Sequence, residues 1–291
     1  MMRKHARSRA MKAGPARGIA LIAVLWIVAA LGILVTGLVQ AHRDEIRLVS
    51  SARQTVQASA LGSAAIQLTL QQMVGRAPPV TRLSRIEVTY NGVTIPVDVM
   101  PLNGLVDINR APQRLLAALF AIAGGLPAER ASALAASLVA ARAPGVGRTR
   151  GPRFEAIEDL LQFPGIDFDL YARLSQAVTT DSASNGRVNP MAAPESVLAV
   201  LAEGNTGRAA QIAAARDAGQ DGIDTTNLTA EFLDNAATTR YRLQARVPLA
   251  DGRRLLSSRL VAMGRVAPDG VPWRIFQADD RFEPATSNTN P

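Results

Sequence analysis

Residues Ile19 to Val39 contain no charged side chain, and a leader carrying Arg3, Lys4, Arg7, Arg9, Lys12 and Arg17 with no acid precedes them. Twenty-one residues of helix rise roughly 31 Å, the thickness of a bilayer's hydrocarbon core. A cleaved secretory signal would have a shorter apolar stretch with a small-residue site on its far side. Here the small residue, Gly18, stands on the near side, and no such site precedes Arg43 and Asp44. The pattern predicts a retained single span, residues 19–41, with the basic leader, residues 1–18, left in the cytoplasm.

The apparent basicity of the chain resides mostly in that leader. Removing its six charges takes the formal net charge from +8 to +2. Both lysines leave with it, so the remaining cations are arginines set against 24 acids. An evenly mixed surface of that kind is the reading favoured over a phosphate-binding face. No cysteine is present, which excludes disulfides, thiolate metal sites and thiol nucleophiles. The two histidines, His5 and His42, fall in the leader and at the membrane edge. Catalytic triads and histidine-rich metal sites therefore cannot be assembled, and no enzymatic activity is expected.

No proline interrupts the chain between the apolar span and Pro78. Ile46, Val49, Ala52, Val56, Ala60, Ala64 and Leu68 recur every three or four residues, predicting one long helix whose distal stripe packs under a sheet. Two period-2 runs flank Asn91-Gly92, and a second pair flanks Asp251-Gly252; both read as hairpins. Residues 42–103 thus comprise helix and first hairpin, and 237–276 the closing strands, with Val271 to Phe276 as an edge. Residues 277–291 read as a disordered tail.

Between the hairpins, residues 104–236 read as helical and contain a repeat. Gly104 to Leu119 (GLVDINRAPQRLLAAL) aligns without gaps on Gly186 to Leu201 (GRVNPMAAPESVLAVL), an offset of 186 − 104 = 82, with seven identities. Each copy reads as a short extended piece and then a helix opened by proline, followed by an alanine-rich helix ending in arginine. Phe154 to Asp167, FEAIEDLLQFPGID, reads as a helix and a Pro-Gly-Ile turn, with a second helix following to Val178.

A basic leader ending in glycine, a spanning helix continuing into a soluble stalk, and a hairpin sheet resemble the layout of type IV pilins and pseudopilins. The insert holding VDINRAP and VNPMAAP, with EDLLQFPGI between them, resembles pseudopilin K, the minor pseudopilin of type II secretion systems. The fold implied is α+β: a pilin-like long helix and antiparallel sheet with a large all-α insert of helix-hairpin type. The resemblance implies cleavage by prepilin peptidase between Gly18 and Ile19, with Ile19 becoming the methylated N-terminus. It implies an inner-membrane protein with a periplasmic C-terminal domain, engaging pseudopilins I and J, the secretion platform and the lipid bilayer. Most pilin-like subunits carry glutamate four residues beyond the new N-terminus. Here Ala23 stands there, as expected of a tip subunit with no neighbour's amine to pair with a buried carboxylate. Ile46, Val49, Ala52, Val56 and Ala60 are the expected partner-helix interface. No cofactor is expected except that some members bind calcium. The Asp181–Asn185-Gly186 segment lacks calcium-loop ligands at its third and twelfth positions, Ala183 and Ala192.

The alternative is a membrane-anchored helix-hairpin-helix DNA receptor of a DNA-uptake system. Against it, the hairpin Phe163-Pro-Gly-Ile-Asp167 ends in a carboxylate that repels phosphate, and nucleic acid is not an expected partner.

Overall fold

The computed structural model describes residues 17–75, 79–143, 154–249, 251–264 and 270–283, with backbone alone for 17–20 and 33–48. The chain divides into two units, Met1–Val56 and Gln57–Pro291. Helix α1 (Arg17–Val74) begins in the first and ends in the second. In the first unit, the described apolar side chains of α1, Leu21, Ile22, Val24, Leu25 and Trp26 among them, are exposed. Among the described residues no helix is long and apolar enough to cross a membrane. The span expected at Ile19 to Val39 falls only partly among them, since the side chains of 19–20 and 33–39 lie outside the description.

The second unit follows chain order as β1 (Ser84–Tyr90), β2 (Val93–Pro101), β3 (Val106–Asp107), α2 (Gln113–Ile122), α3 (Ala128–Ala141), α4 (Phe168–Leu174) and β4 (Val178–Thr179). After these come α5 (Glu195–Leu201), α6 (Thr206–Asp217), β5 (Arg240–Pro248), β6 (Arg254–Met263) and β7 (Trp273–Glu283). The main sheet is antiparallel in the order β1-β2-β5-β6-β7, so the insert leaves between β2 and β5, which are themselves neighbours. Asn91 and Gly92 both adopt positive φ, +50° and +75°, the type I′ geometry that matches strand twist. Leu249 and Arg253 close the second hairpin through a 2.9 Å backbone bond.

The strands alternate as their period requires. Ile95, Val97, Val99, Leu243, Ala245 and Val261 form one core with Ala58, Ala65, Ile66, Leu70 and Met73 of α1. The stripe expected to pack under the sheet is not the one that does. Ala60 lies two residues, or roughly 200° of helix, from Ala58, and it is exposed, while Ala64 and Leu68 are only half-buried. The true contact face is Ala58, Gly62, Ala65, Ile66, Thr69, Leu70 and Met73. Small residues bring helix and sheet close: a Cβ at Gly62 would stand 2.9 Å from Ser257 Cβ and closer to its Oγ. Residues that small add little to a hydropathy pattern although they set the packing distance.

Strand β7 overturns a second expectation, because it continues to Glu283 and pairs with β6 along its whole length. Residues 277–283 are therefore strand; 284–291 lie outside the described residues. The acidic pair Asp279-Asp280 reads as solvated tail, but Asp280 is neutralised by Arg259 at 2.7 Å and accepts from Ser59 at 2.6 Å. Arg253 stacks over the Phe282 ring at 4.8 Å.

The insert is nearly all helical, with a small parallel ladder of β3 on β4. The helix expected ahead of the Pro-Gly-Ile turn is a 3-10 helix, Ile157–Gln162, and α4 stops at Leu174, short of Val178. The two repeats are related by an approximate two-fold arrangement. Gly104 approaches Ala192, and Gly186, at φ +90°, approaches Arg110; Ala192 and Arg110 are themselves 82 apart, so the two contacts are one contact made reciprocally, as across a symmetric dimer interface. Asp107 Oδ1 accepts from the Asn109 amide at 2.9 Å, and the equivalent Asn189 Oδ1 accepts from Met191 at 3.0 Å. Arg142, closing α3, donates to the Ala111 carbonyl, and Arg216 in the last turn of α6 donates to the equivalent Ala193 carbonyl. Pro112 and Pro194 hold the N-cap positions of α2 and α5. There the missing amide costs nothing, because that end of the helix needs no donor.

On the sheet face away from α1, Asp98 lies between two guanidiniums, Arg85 at 2.7 Å and Arg246, and Arg246 reaches Glu283 at 3.6 Å. Burial pushes the Asp98 carboxyl up, but hydrogen bonds and charge from Arg85 and Arg246 outweigh it and hold it below its ordinary value. A depressed carboxylate stabilises the fold above its unfolded value, about 4, and that stability is lost as pH falls through the folded value. Asp98→Asn is expected to cost about 1–2 kcal/mol at neutral pH, and less with acidification. Urea denaturation of both proteins between pH 7 and pH 3 checks this; a constant difference would contradict it.

Candidate assembly sites

The expected processing junction lies at the edge of the described chain: α1 starts at Arg17, and only the backbone is described for Gly18 and Ile19. Residues 1–16 of the leader are outside it altogether. Ala23 is exposed on α1. Of the expected partner interface, the Ile46 side chain lies outside the described residues. Val49 and Val56 are 64% and 70% exposed, and Ala52 is exposed beside them in the first unit. Ala60, in the second unit, is exposed on the side of α1 turned from the sheet. Exposed β-branched residues in a helix carry a transfer cost of about 1–2 kcal/mol each that covering would recover.

The insert uses its motif polar groups internally. Asp107 is buried; its Oδ2 accepts from the Ser182 amide at 3.0 Å and hydroxyl at 2.8 Å. Burial raises its pKa despite those bonds. Asn109 Nδ2 donates to the Phe154 and Thr180 carbonyls, and its Oδ1 accepts from the Phe154 amide. The motif residues that carry the resemblance therefore staple the repeat to the hairpin segment. At that hairpin, Gly165 turns at φ +93°, and Asp167 N-caps α4, accepting from the Leu170 amide at 2.8 Å. The capping carboxylate would repel a phosphate approaching the N-terminus of α4.

Asp181 is likewise committed, pairing with Arg240 at 3.0 Å and accepting from the Ala183 amide. Asn185 Oδ1 accepts from the Arg187 amide, so the segment is a turn leading to Gly186. Among the described residues no group of three or more His, Asp or Glu could hold a metal ion. The arginine-rich loop is described only to Ala143; residues 144–153 lie outside.

One residue that sequence reasoning passed over stands out. Arg242 alternates with core positions on β5 and reads as an outward polar residue, yet it is 8% exposed, because Met100 and Leu260 beside it pack on the insert core. The signal available was alternation, which assigns a face but not what covers it.

No protein-family profile matches the chain, and no curated protein matches it. Among solved structures, the chain is similar to a chain of the GspK-GspI-GspJ complex from the type 2 secretion system of enterotoxigenic Escherichia coli. The match has 13% identity and a TM-score of 0.47, and covers 81% of this chain and 99% of that one.

Proposed function

We propose that the chain is a minor pseudopilin at the tip of a type II secretion pseudopilus, a non-enzymatic inner-membrane protein with its C-terminal domain in the periplasm. The observation that carries the reading is the exposed side of α1. The helix seats on its own sheet through Ala58, Gly62, Ala65 and Leu70, leaving Val49, Ala52, Val56 and Ala60 for other helices. The leader ending at Gly18, the apolar run and the hairpin sheet interrupted by an insert support it. Ala23 in place of a glutamate fits a subunit with nothing above it, and an insert of some 130 residues between β2 and β5 would obstruct a subunit stacked there. Prepilin peptidase would process the chain, and pseudopilins I and J would take the free stripe. A calcium ion forms no part of this reading.

Val56→Asp is expected to leave the melting temperature unchanged while abolishing co-purification with pseudopilins I and J, since a carboxylate in a helix seam is buried without a partner. Secretion by a deletion strain carrying the variant should fall with it. If the complex survives, or if deleting the gene leaves secretion intact, the assignment fails.

A further inference from the structure

Burying a guanidinium without a partner is costly unless something neutralises it or accepts its N–H groups. Four other shielded arginines of this fold are paired with a carboxylate, while half-buried Arg142 donates to the Ile108 and Ala111 carbonyls. Arg216 pairs with Asp217 at 2.8 Å, Arg240 with Asp181, Arg246 with Asp98 and Arg259 with Asp280. Arg242 does not. It is more buried than three of the four, and among the described residues its side chain makes no ion pair and no hydrogen bond.

Arg242 lines a cavity of about 460 Å³ between the β5–β7 face of the sheet and the α4 side of the insert. Arg281 of β7 lines it too, again without an ion pair among the described residues. Burial, and then the like charge of Arg281, holds Arg242 down to about 10, so it is still a cation at neutral pH. Ser258, Gln244 and Gln277, which point to the same face by strand register, add neutral donors along the wall. Two carboxylates also line it, Glu158 and Asp279, the latter opposite Ser258 in the ladder, and among the described residues neither makes an ion pair with Arg242 or Arg281. The volume suits a small molecule or a single charged side chain.

We infer that this cavity binds an oxyanion, a carboxylate or phosphate group held between Arg242 and Arg281. A guanidinium presents paired N–H donors that match either group, and one anion can accept from both arginines. The site rests on the cavity alone and stands whether or not the chain belongs to a secretion pseudopilus.

The test uses the full chain in detergent, its melting temperature followed in sodium phosphate or sodium citrate against sodium chloride at matched ionic strength. A saturable rise of roughly 5 °C or more is expected once the anion exceeds its Kd about a hundredfold. A response to citrate alone marks a carboxylate site, and one to phosphate alone a phosphate site. Arg281→Gln, on an exposed strand, should weaken the apparent affinity at least tenfold. Arg242→Met should abolish the response and raise the melting temperature in chloride, because it removes an uncompensated buried charge. If Arg242→Met does not fold, Arg281→Gln decides. No saturable shift with either anion, or full retention of the shift in these variants, overturns the inference.

Discussion

Gly186→Ala is expected to leave the insert unfolded, and Gly104→Ala to come close to it. At Gly186 an added Cβ would stand 2.6 Å from the Arg110 carbonyl carbon and closer to its oxygen, at a φ of +90°. At Gly104 it would stand 2.7 Å from Ala192 Cβ and closer still to that residue's carbonyl. Both obstacles are backbone, so neither can yield by a rotamer change. Overpacking against rigid backbone, with a strained φ at one site, places each cost above about 3 kcal/mol, in the tail of single substitutions. Gly92→Ala is the control: its φ is +75° but nothing lies within 4 Å, so it should cost only about 1–2 kcal/mol, the left-handed penalty alone. Urea denaturation and limited proteolysis of the insert rank the three. If Gly104 and Gly186 tolerate alanine as Gly92 does, the reciprocal repeat contact does not hold the insert together.

Gly18→Glu is expected to leave the chain as full-length precursor and to abolish secretion, whereas Gly18→Ala should be processed. The expectation rests on the proposed function and on the position of one small residue between Arg17 and an apolar run. A bulky charge at that junction would have to enter a protease site built for a small residue at the membrane surface, with the desolvation cost of a carboxylate. N-terminal sequencing of the wild-type protein provides the reading: a start at Ile19 is expected, and any other start sinks the assignment. Because the effect is on processing, the melting behaviour of the Gln57–Pro291 unit should be unchanged.

Much of the architecture is written locally. Asn91-Gly92 can close a hairpin because both residues tolerate positive φ, and the alternation in β2 and β5 assigns each side chain to a face before any partner strand is known. The repeat is legible by alignment, and so are its prolines and closing arginines, since helix ends obey short-range rules. Sequence also removes thiol chemistry from consideration, because the chain has no cysteine.

Tertiary structure decided what depends on distance rather than on period. Which side of α1 meets the sheet was set by Ala58, Gly62 and Ala65, whose small size permits close approach but adds little hydropathy. The stripe that dominates the pattern, Val49 and Val56, was left exposed. Strand β7 gained seven residues beyond the expected edge because Arg259 and Ser59, far away in sequence, neutralise and anchor Asp280. The repeat's reciprocal glycine contact and the covering of Arg242 are likewise products of two segments meeting. A sequence records each residue's preference for water or interior, but how closely two backbones approach, and which charges remain unpaired when they do, exist only once the chain has packed.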